Sequence, residues 1–319
     1  MKALVTGAAG FVGSRLVTRL KADGFDVVGV DSITDYYDRS IKLDNLRRLQ
    51  GDNFEFIEGD LNSLNLVPLV KDVEYIFHQA GQPGVRKSWG KDFSAYTRAN
   101  IAATQILLET VKDSASLKKF VYASSSSVYG NAERYPTSES DRPQPLSPYG
   151  VTKLAAEHLC SLYGENFGVP TVSLRYFTVY GPGQRPDMAF TRFVRALLTD
   201  GEVRIFGTGE QIRDYTFVDD VVDANVRAAL SKSEPGEVFN VAGGTNISLL
   251  DAIHTLETVA GRSMRLTHVD KVAGDVARTG GTTDKINTAL GWAPTVTLTD
   301  GLTEHFEWGR RIWSDSVGG

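Results

Sequence analysis

The residues whose types and spacing point most directly to chemistry are Tyr149 and Lys153, which stand four positions apart. On a helix, residues with this spacing share one face, with Cβ atoms about 6 Å apart. An ammonium group beside a phenol favours the phenolate and lowers the pKa of the tyrosine. Such a tyrosine can remove a proton from an alcohol while hydride leaves the same carbon, which predicts alcohol–ketone chemistry.

Glycines at positions 7, 10 and 13 indicate the cofactor that this chemistry needs. They follow the first apolar run and open the first helical pattern. Glycines in this place allow a tight turn and let backbone N–H groups approach a pyrophosphate, and the helix start adds the positive end of its dipole. The predicted pyrophosphate site consists of Gly7, Gly10, Phe11, Val12 and Gly13.

Further strand ends complete the predicted cofactor site. Asp31 ends the second apolar run, where a carboxylate accepts hydrogen bonds from the adenosine ribose and repels a 2′-phosphate. Because no arginine directly follows Asp31, the sequence favours NAD over NADP. A serine run, Ser124–Ser127, ends a later strand that we expect beside the nicotinamide. The other predicted contacts are Asp60 and Leu61 at the adenine edge and Gln79, Ala80 and Gly81 at the nicotinamide side.

The elements that must position these residues alternate between apolar runs and helical patterns. This alternation predicts an α/β fold, a Rossmann-type doubly wound parallel sheet with a smaller mixed α/β C-terminal substrate lobe. We assign residues 1–176 and about 215–243 to the NAD-binding domain, and about 177–214 and 244–319 to the substrate lobe. The predicted strands are Ala3–Thr6, Val27–Val30, Phe54–Ile57, Val73–Phe77, Phe120–Ala123, Val169–Leu174 and Glu237–Val241. The predicted helices are Phe11–Leu20, Ser63–Val70, Ala95–Val111, Ser147–Phe167 and Ala189–Leu198.

Composition narrows the class of protein. The net charge of −5 gives no general attraction to nucleic acid or to an anionic membrane, so neither is expected as a partner. A single cysteine, Cys160, excludes a thiolate metal cluster within one chain, and we expect no metal. The sequence offers no signal-peptide pattern and no apolar stretch of about 18 residues. These features predict a cytoplasmic protein.

Together these motifs resemble those of the extended short-chain dehydrogenase/reductases, in the sugar-nucleotide epimerase and dehydratase branch. The resemblance spans nearly the whole chain and includes the segments Arg175–Pro182 and Arg213–Asp220. It implies that Ser125 is a catalytic hydroxyl, that Tyr149 is the acid and base, and that Lys153 is its partner. It also implies a UDP-sugar substrate. The helix that carries Tyr149 is apolar over a wide arc, and because relatives pair through helices here, a homodimer is expected.

The absence of two characteristic carboxylates argues against two activities of this branch. A 4,6-dehydratase needs an Asp-Glu pair where this chain has Ser126-Ser127, and UDP-glucuronate decarboxylases usually carry Glu at the position of Ser127. The segments Gln82–Trp89 and Phe177–Phe190 resemble those of UDP-glucuronate 4-epimerases. Galactose epimerases usually have Asn where Thr178 stands. We therefore predict 4-epimerisation of UDP-glucuronate to UDP-galacturonate, with the C5 carboxylate held by Ser126, Ser127 and Thr178 and with Arg86 as a long-range charge partner.

Arginines are the predicted ligands of the diphosphate. Guanidinium groups match phosphate oxygens in pairs, which makes Arg185 and Arg213 candidates, and the resemblance favours Arg213. By the same resemblance Asp275 binds the uridine ribose, and Arg278 close behind it could also face the diphosphate. Three alternatives stay open at this point: a UDP-glucuronate decarboxylase, a neutral UDP-glucose 4-epimerase, and a catalytically dead NAD-binding regulator.

Overall fold

A parallel β-sheet forms the centre of the fold. The computed structural model describes residues 1–270 and 274–313 of the 319-residue chain. The strands are β1 (Lys2–Thr6), β2 (Asp26–Asp31), β3 (Phe54–Glu58), β4 (Tyr75–His78), β5 (Lys119–Ser125), β6 (Thr171–Tyr176), β7 (Thr178–Tyr180), β8 (Glu202–Phe206), β9 (Ile212–Arg213), β10 (Tyr215–Phe217), β11 (Glu237–Val241), β12 (Ile247–Ser248) and β13 (Arg265–Val269).

Seven of these strands make the central sheet in the order β11-β6-β5-β4-β1-β2-β3, with every neighbouring pair parallel. The strand order reverses between β1 and β4, and ligands of open α/β sheets bind at the carboxyl ends of the strands beside such a reversal. The remaining strands form three small pairs, β7 with β10, β8 with β13, and β9 with β12.

Helices cover both faces of the sheet. Along β1, Ala3 and Val5 pack into one apolar cluster and Leu4 into another, because successive side chains of a strand point to opposite faces. A third apolar cluster, which includes Phe190 and Leu302, fills the smaller lobe. The α-helices are α1 (Phe11–Ala22), α2 (Arg39–Leu49), α3 (Val67–Val70), α4 (Phe93–Tyr96), α5 (Ala103–Val111), α6 (Pro148–Phe167), α7 (Ala189–Leu198), α8 (Val218–Leu230), α9 (Leu249–Ala260), α10 (Asp284–Leu290) and α11 (Leu298–Trp313).

The predicted fold class is confirmed, and the differences lie in single elements. The sequence analysis did not predict α2 or α8. The predicted helix Ser63–Val70 is reduced to α3, which has a proline in its first turn. The predicted helix Ala95–Val111 is interrupted by a π-helical segment, Thr97–Ala102, between α4 and α5. The proposed domain boundaries stay a prediction; both β11 and α8 belong to the layers of the central sheet.

No helix within the described residues is long and apolar enough to cross a membrane.

Two buried histidines lead to a prediction about stability. Burial lowers the pKa of His78 and of His305 to about 3. The unfolded chain takes up a proton on each histidine below about pH 6.5, whereas the folded chain does so only near pH 3. The free energy of unfolding therefore falls as the pH drops through this window, by up to about 1.4 kcal/mol per pH unit for each histidine. We expect a falling melting temperature from pH 7 to pH 5 in scanning calorimetry.

Histidine substitutions distinguish the contribution of the buried histidines to this pH dependence from that of other titrating groups. His305→Phe should flatten the decline of the melting temperature, because it removes one of the two histidines that charge only on unfolding. His254→Gln is the matched control, since the His254 side chain is 83% exposed. An equal slope in the His305→Phe variant and the wild-type protein would contradict the argument.

Candidate functional site

The loop between β1 and α1 forms a cradle of backbone groups. Gly7 adopts φ +70°, and a Cβ atom on Gly13 would lie 2.0 Å from the Gly7 carbonyl oxygen. These two positions therefore accept only glycine without rearrangement. Gly10 precedes α1 and provides no side-chain cap, so the N–H groups of Phe11, Val12 and Gly13 at the helix start remain available to an anion.

Asp31 lies at the carboxyl end of β2, as predicted. Its carboxylate accepts hydrogen bonds from the backbone N–H groups of Ala9 at 3.2 Å and Ile33 at 2.9 Å. The ammonium group of Lys42 lies 3.6 Å from the same carboxylate and is almost fully buried. The sequence analysis missed Lys42 because it missed α2, the helix that carries it.

The next two strand ends also reach the cleft. The Asp60 carboxylate accepts hydrogen bonds from Asn62 and Arg98, and Leu61 beside it is buried. The Gln79 side-chain amide donates to Asn225 at 2.9 Å and accepts from the Tyr176 hydroxyl at 3.1 Å. Because these groups have partners within the chain, they fix the shape of the cleft wall.

Ala80 and Gly81 follow Gln79 along this wall. The Ala80 N–H donates to the hydroxyl of Thr6 at 3.2 Å, which ties the wall to the end of β1. A Cβ atom on Gly81 would lie 3.3 Å from the ammonium nitrogen of Lys153. Gly81 therefore leaves room for a ligand and for Lys153 side by side.

Tyr149 stands in the first turn of α6, which begins after the cap Ser147. Burial raises the pKa of Tyr149, whereas a hydrogen bond with Ser125 and the positive charge of Arg185 lower it. Ser125 ends β5, and its hydroxyl oxygen also accepts from the N–H of Ser127 at 3.1 Å. The structure thus brings the predicted hydroxyl Ser125 and the predicted base Tyr149 together.

Lys153 lies one turn further along α6 and is buried. Its ammonium group donates to the carbonyl oxygen of Ala123 at 2.8 Å and lies 5.0 Å from the centre of the Tyr122 ring. Burial lowers the pKa of Lys153 to about 8. The cation that lowers the pKa of Tyr149 in this arrangement is Arg185, so the direct influence of Lys153 on the phenol stays a prediction.

The π-helical segment Thr97–Ala102 supports this part of the site through Asn100. The Asn100 side chain accepts from the N–H of Gln82 at 2.6 Å and donates to the hydroxyl of Thr152 at 2.9 Å. Thr152 precedes Lys153, so Asn100 connects the loop after β4 to the part of α6 that carries Tyr149 and Lys153.

One cavity of about 460 Å³ joins the cofactor loop to the residues around Tyr149. Its volume lies within the usual range of small-molecule sites. Tyr37 and Met188 also line it, and the sequence analysis had not singled them out. Predicted residues on its wall are Gly7, Gly10, Phe11, Val12, Gly13, Asp31, Asp60, Leu61, Gln79, Ala80, Gly81, Ser125, Ser126, Ser127, Tyr149, Lys153, Thr178 and Arg185.

Arg185 lies at the Tyr149 side of this cavity. Its guanidinium group donates through Nε and Nη2 to both carboxylate oxygens of Asp187, at 3.0 and 2.9 Å. Its positive charge lowers the pKa of Tyr149. The structure therefore places Arg185 beside Tyr149 in the cavity, and its predicted contact with the diphosphate stays a prediction.

A second group of polar residues surrounds Arg213. Arg86 donates to the Asp275 carboxylate at 3.0 Å, and its guanidinium carbon lies 4.0 Å from the centre of the Phe206 ring. The charges of Asp275 and Arg86 both act on Arg213, whose pKa is lowered by burial. The carboxylate of Asp275 and the ring of Phe206 thus hold Arg86 in this group, and its role as a long-range charge partner of the sugar carboxylate stays a prediction.

Arg278 lies close to the same group. Its Nε is buried and has no hydrogen-bond partner among the described residues. Its guanidinium carbon lies 4.9 Å from the centre of the Tyr135 ring. An unpaired buried donor is costly, so Arg278 is suited to meet an acceptor brought by a ligand.

The glycine cradle, the helix start and Asp31 fit a dinucleotide: the first two match its pyrophosphate, and the third matches a ribose. The model of the NAD dependent epimerase/dehydratase family matches residues 3–242. The chain belongs to this family. Its cofactor is therefore NAD, as the sequence analysis predicted.

Relatives within the NAD dependent epimerase/dehydratase family match nearly the full length of the chain. The crystal structure of the UDP-glucuronic acid 4-epimerase from Bacillus cereus, in complex with UDP-glucuronic acid and NAD, is 44% identical, with a TM-score of 0.94 over 98% of this chain and 100% of that one. An uncharacterized UDP-glucose epimerase, YtcB of Bacillus subtilis, is 44% identical over 95% of this chain and 96% of its own. The UDP-glucuronate 4-epimerase of Thermodesulfobacterium geofontis is 34% identical over 96% and 95%.

Within residues 1–270 and 274–313, no group of three or more His, Cys, Asp or Glu side chains is arranged to hold a metal ion.

Proposed function

We propose that this family member interconverts UDP-glucuronate and UDP-galacturonate by epimerisation at C4, through a 4-keto intermediate and without loss of CO₂. The observation that carries the proposal is the likeness to the Bacillus cereus 4-epimerase over 98% of the chain. The cavity supports it, because hydroxyl side chains for the sugar and the candidate base Tyr149 line the same space.

Tyr149 performs the proton transfer in this proposal. Its oxygen takes the proton of the sugar 4-hydroxyl and later returns it to the 4-keto oxygen. Ser125 donates a hydrogen bond to the phenol oxygen, and together with the charge of Arg185 it opposes the rise in pKa caused by burial. NAD, when bound, supplies the hydride acceptor for the first half of the reaction and the donor for the second.

Epimerisation requires the sugar to present its opposite face between the two halves. Arg213 and Arg278 are suited to hold the diphosphate while the sugar turns, because their guanidinium groups match phosphate oxygens. Asp275 binds the uridine ribose in this proposal. The backbone near Tyr149 can then stay in place during the second half of the reaction.

The 4-keto intermediate is a β-keto acid and can lose CO₂. This loss requires the bond between C5 and the carboxylate to align with the π system of the ketone. Ser126, Ser127 and Thr178 line the cavity with neutral hydroxyl groups, and hydrogen bonds from them can hold the carboxylate out of that alignment. We propose that these three residues separate epimerisation from decarboxylation.

A proton NMR time course tests the proposed function. The purified protein is incubated with UDP-glucuronate, with and without added NAD. Growth of UDP-galacturonate signals without UDP-pentose is the expected result. UDP-xylose or a 4-keto-pentose would identify a decarboxylase instead, and an unchanged spectrum together with turnover of UDP-glucose would identify a neutral-sugar epimerase. Bound NAD without turnover of any UDP-sugar would indicate a binding protein.

We also propose that the enzyme is a homodimer that pairs through α6. Val151 and Leu162 lie on one face of this helix and are 47% and 51% exposed. Leu154, Ala155 and Leu159 on the same side of the helix are half-buried, and the exposed His158 is the polar residue among them. A second copy of the chain would cover this face and remove its apolar area from water.

The mass in solution tests the dimer. Size-exclusion chromatography with light scattering should give twice the chain mass of 34.8 kDa. Leu162→Glu should shift the protein toward the single-chain mass, because a charge would enter an apolar interface. Leu230→Glu is the matched control, since Leu230 is 53% exposed on α8. A single-chain mass for the wild-type protein would refute the pairing.

A further inference from the structure

The ring of Tyr36 is the meeting point of three separate segments. Tyr36 lies between β2 and α2 and is half-buried. The ammonium nitrogen of Lys87, from the segment after β4, lies 4.7 Å from the centre of its ring, and the guanidinium carbon of Arg185, from the segment after β7, lies 5.7 Å from it. Both distances are within the range of about 6 Å over which a cation is attracted to a ring face.

Gly84 makes room for the hydroxyl end of Tyr36. Gly84 adopts φ +100°, and a Cβ atom there would lie 2.2 Å from the Tyr36 hydroxyl oxygen. The backbone on either side is fixed by Tyr96, whose hydroxyl reaches the carbonyl oxygens of Pro83 at 2.9 Å and Gly84 at 2.8 Å. Tyr36 therefore rests on backbone that the buried Tyr96 holds in place.

The same wall contacts the catalytic tyrosine. The rings of Tyr96 and Tyr149 meet edge to face, with their centres 6.3 Å apart. Arg185 lines the cavity beside Tyr149, and its Nε and Nη2 are used by Asp187. The guanidinium carbon of Arg185 lies 5.7 Å from the centre of the Tyr36 ring. Asp187 and Tyr36 together therefore define the direction in which Arg185 points.

We infer that Tyr36 is a positioning residue: its ring, held between Lys87 and Arg185, keeps Arg185 aimed into the cavity, where Arg185 binds an anionic group of the nucleotide-sugar substrate. The inference rests on the proposed function. Tyr36 acts through Arg185, and the contact depends on the aromatic ring more than on the hydroxyl. Removal of the ring should therefore weaken substrate binding, whereas removal of the hydroxyl alone should not.

The cleanest test uses the NAD-loaded Tyr149→Phe protein, which can bind substrate without turning it over. Calorimetric titration with UDP-glucuronate gives the dissociation constant directly. Tyr36→Leu in this background should raise the dissociation constant about tenfold, a change of about 1.4 kcal/mol. Tyr36→Phe should stay within about twofold, because the ring face is retained. In the active enzyme, Tyr36→Leu should raise KM by a similar factor and leave kcat within about threefold.

Phe167→Leu is the matched control for loss of an aromatic ring that contacts a cation. The Phe167 side chain is 57% exposed, lies outside the cavity, and has its ring centre 5.6 Å from the ammonium nitrogen of Lys112. In NAD-saturated protein this variant should bind UDP-glucuronate like the parent. Equal losses for Tyr36→Leu and Phe167→Leu, equal losses for Tyr36→Leu and Tyr36→Phe, or no loss for Tyr36→Leu would each overturn the inference. If the parent protein itself neither binds nor converts UDP-glucuronate, the proposed function fails first.

Discussion

Replacing Tyr149 by phenylalanine should lower kcat for UDP-glucuronate about a thousandfold, in the middle of the range for a lost general acid–base group. The substitution removes only the phenol oxygen, so the 4-hydroxyl proton loses its acceptor. The ring remains against Tyr96, and the glycine cradle is untouched. NAD and UDP-glucuronate should therefore bind with nearly unchanged affinity. Stopped assays by NMR, together with calorimetric binding, measure both quantities.

Tyr163→Phe is the control for a lost phenol oxygen on the same helix. Tyr163 lies near the end of α6, and its hydroxyl donates to the Glu109 carboxylate at 2.7 Å. Its loss should leave kcat within about twofold, because Tyr163 lies outside the cavity. A Tyr149→Phe enzyme with more than about a tenth of the wild-type kcat would remove Tyr149 from the role of base.

The pH dependence of the wild-type enzyme follows from the same group. Burial raises the pKa of Tyr149, so only a small fraction is phenolate near neutral pH, although Ser125 and Arg185 oppose the rise. Because the base must be deprotonated to accept the 4-hydroxyl proton, kcat/KM should increase as the pH is raised from neutral. The Tyr149→Phe variant should lose this increase.

The cofactor half of the site could be predicted because its signals are local. Each candidate stands at or just after a strand end, and in a parallel sheet these ends meet along one edge. A glycine run before a helix, or an aspartate that ends an apolar run, is visible within a few residues. For this reason Gly7, Asp31 and Ser125 were found from sequence, and the structure places all three on one cavity.

The rest of the site depends on contacts that no local pattern encodes. Lys42 reaches Asp31 only because α2 folds back over β2, and that helix is too polar to stand out by its apolar spacing. Arg185 follows β7 and Arg213 ends β9, and the local sequence does not show what either guanidinium group faces. Their surroundings come from tertiary partners, Asp187 for the first and Asp275 for the second.

The second prediction with a large expected effect concerns which product the enzyme forms. Ser127→Glu and Thr178→Ala should each raise the ratio of UDP-pentose to UDP-galacturonate by about tenfold or more. A hydrogen bond to a charged group contributes about 1.5–3 kcal/mol, which corresponds to at least about tenfold in rate if it acts on the barrier to CO₂ loss. Glutamate at 127 would add a negative charge opposite the sugar carboxylate. Alanine at 178 would remove one of the hydroxyl groups that hold it.

The backbone hydrogen bonds of Ser127 and Thr178 should persist in the variants, so the experiment reports on the side chains. The N–H of Thr178 donates to the Asp214 carbonyl oxygen at 3.0 Å, and the N–H of Ser127 donates to the Ser125 hydroxyl at 3.1 Å. Neither bond involves the side chain that is replaced. Thr178→Ser keeps a hydroxyl at the same place and should keep the wild-type product ratio, measured by NMR from the same incubations.

The product ratio is informative because it does not depend on how much active enzyme each variant retains. Both products arise from one 4-keto intermediate, so a slow enzyme with an intact carboxylate contact still yields UDP-galacturonate alone. A raised pentose fraction in Thr178→Ala but not in Thr178→Ser therefore assigns the restraint to the hydroxyl. An unchanged ratio in both Ser127→Glu and Thr178→Ala would mean that other groups hold the carboxylate, and Arg185, beside Tyr149 in the same cavity, would become the next residue to test.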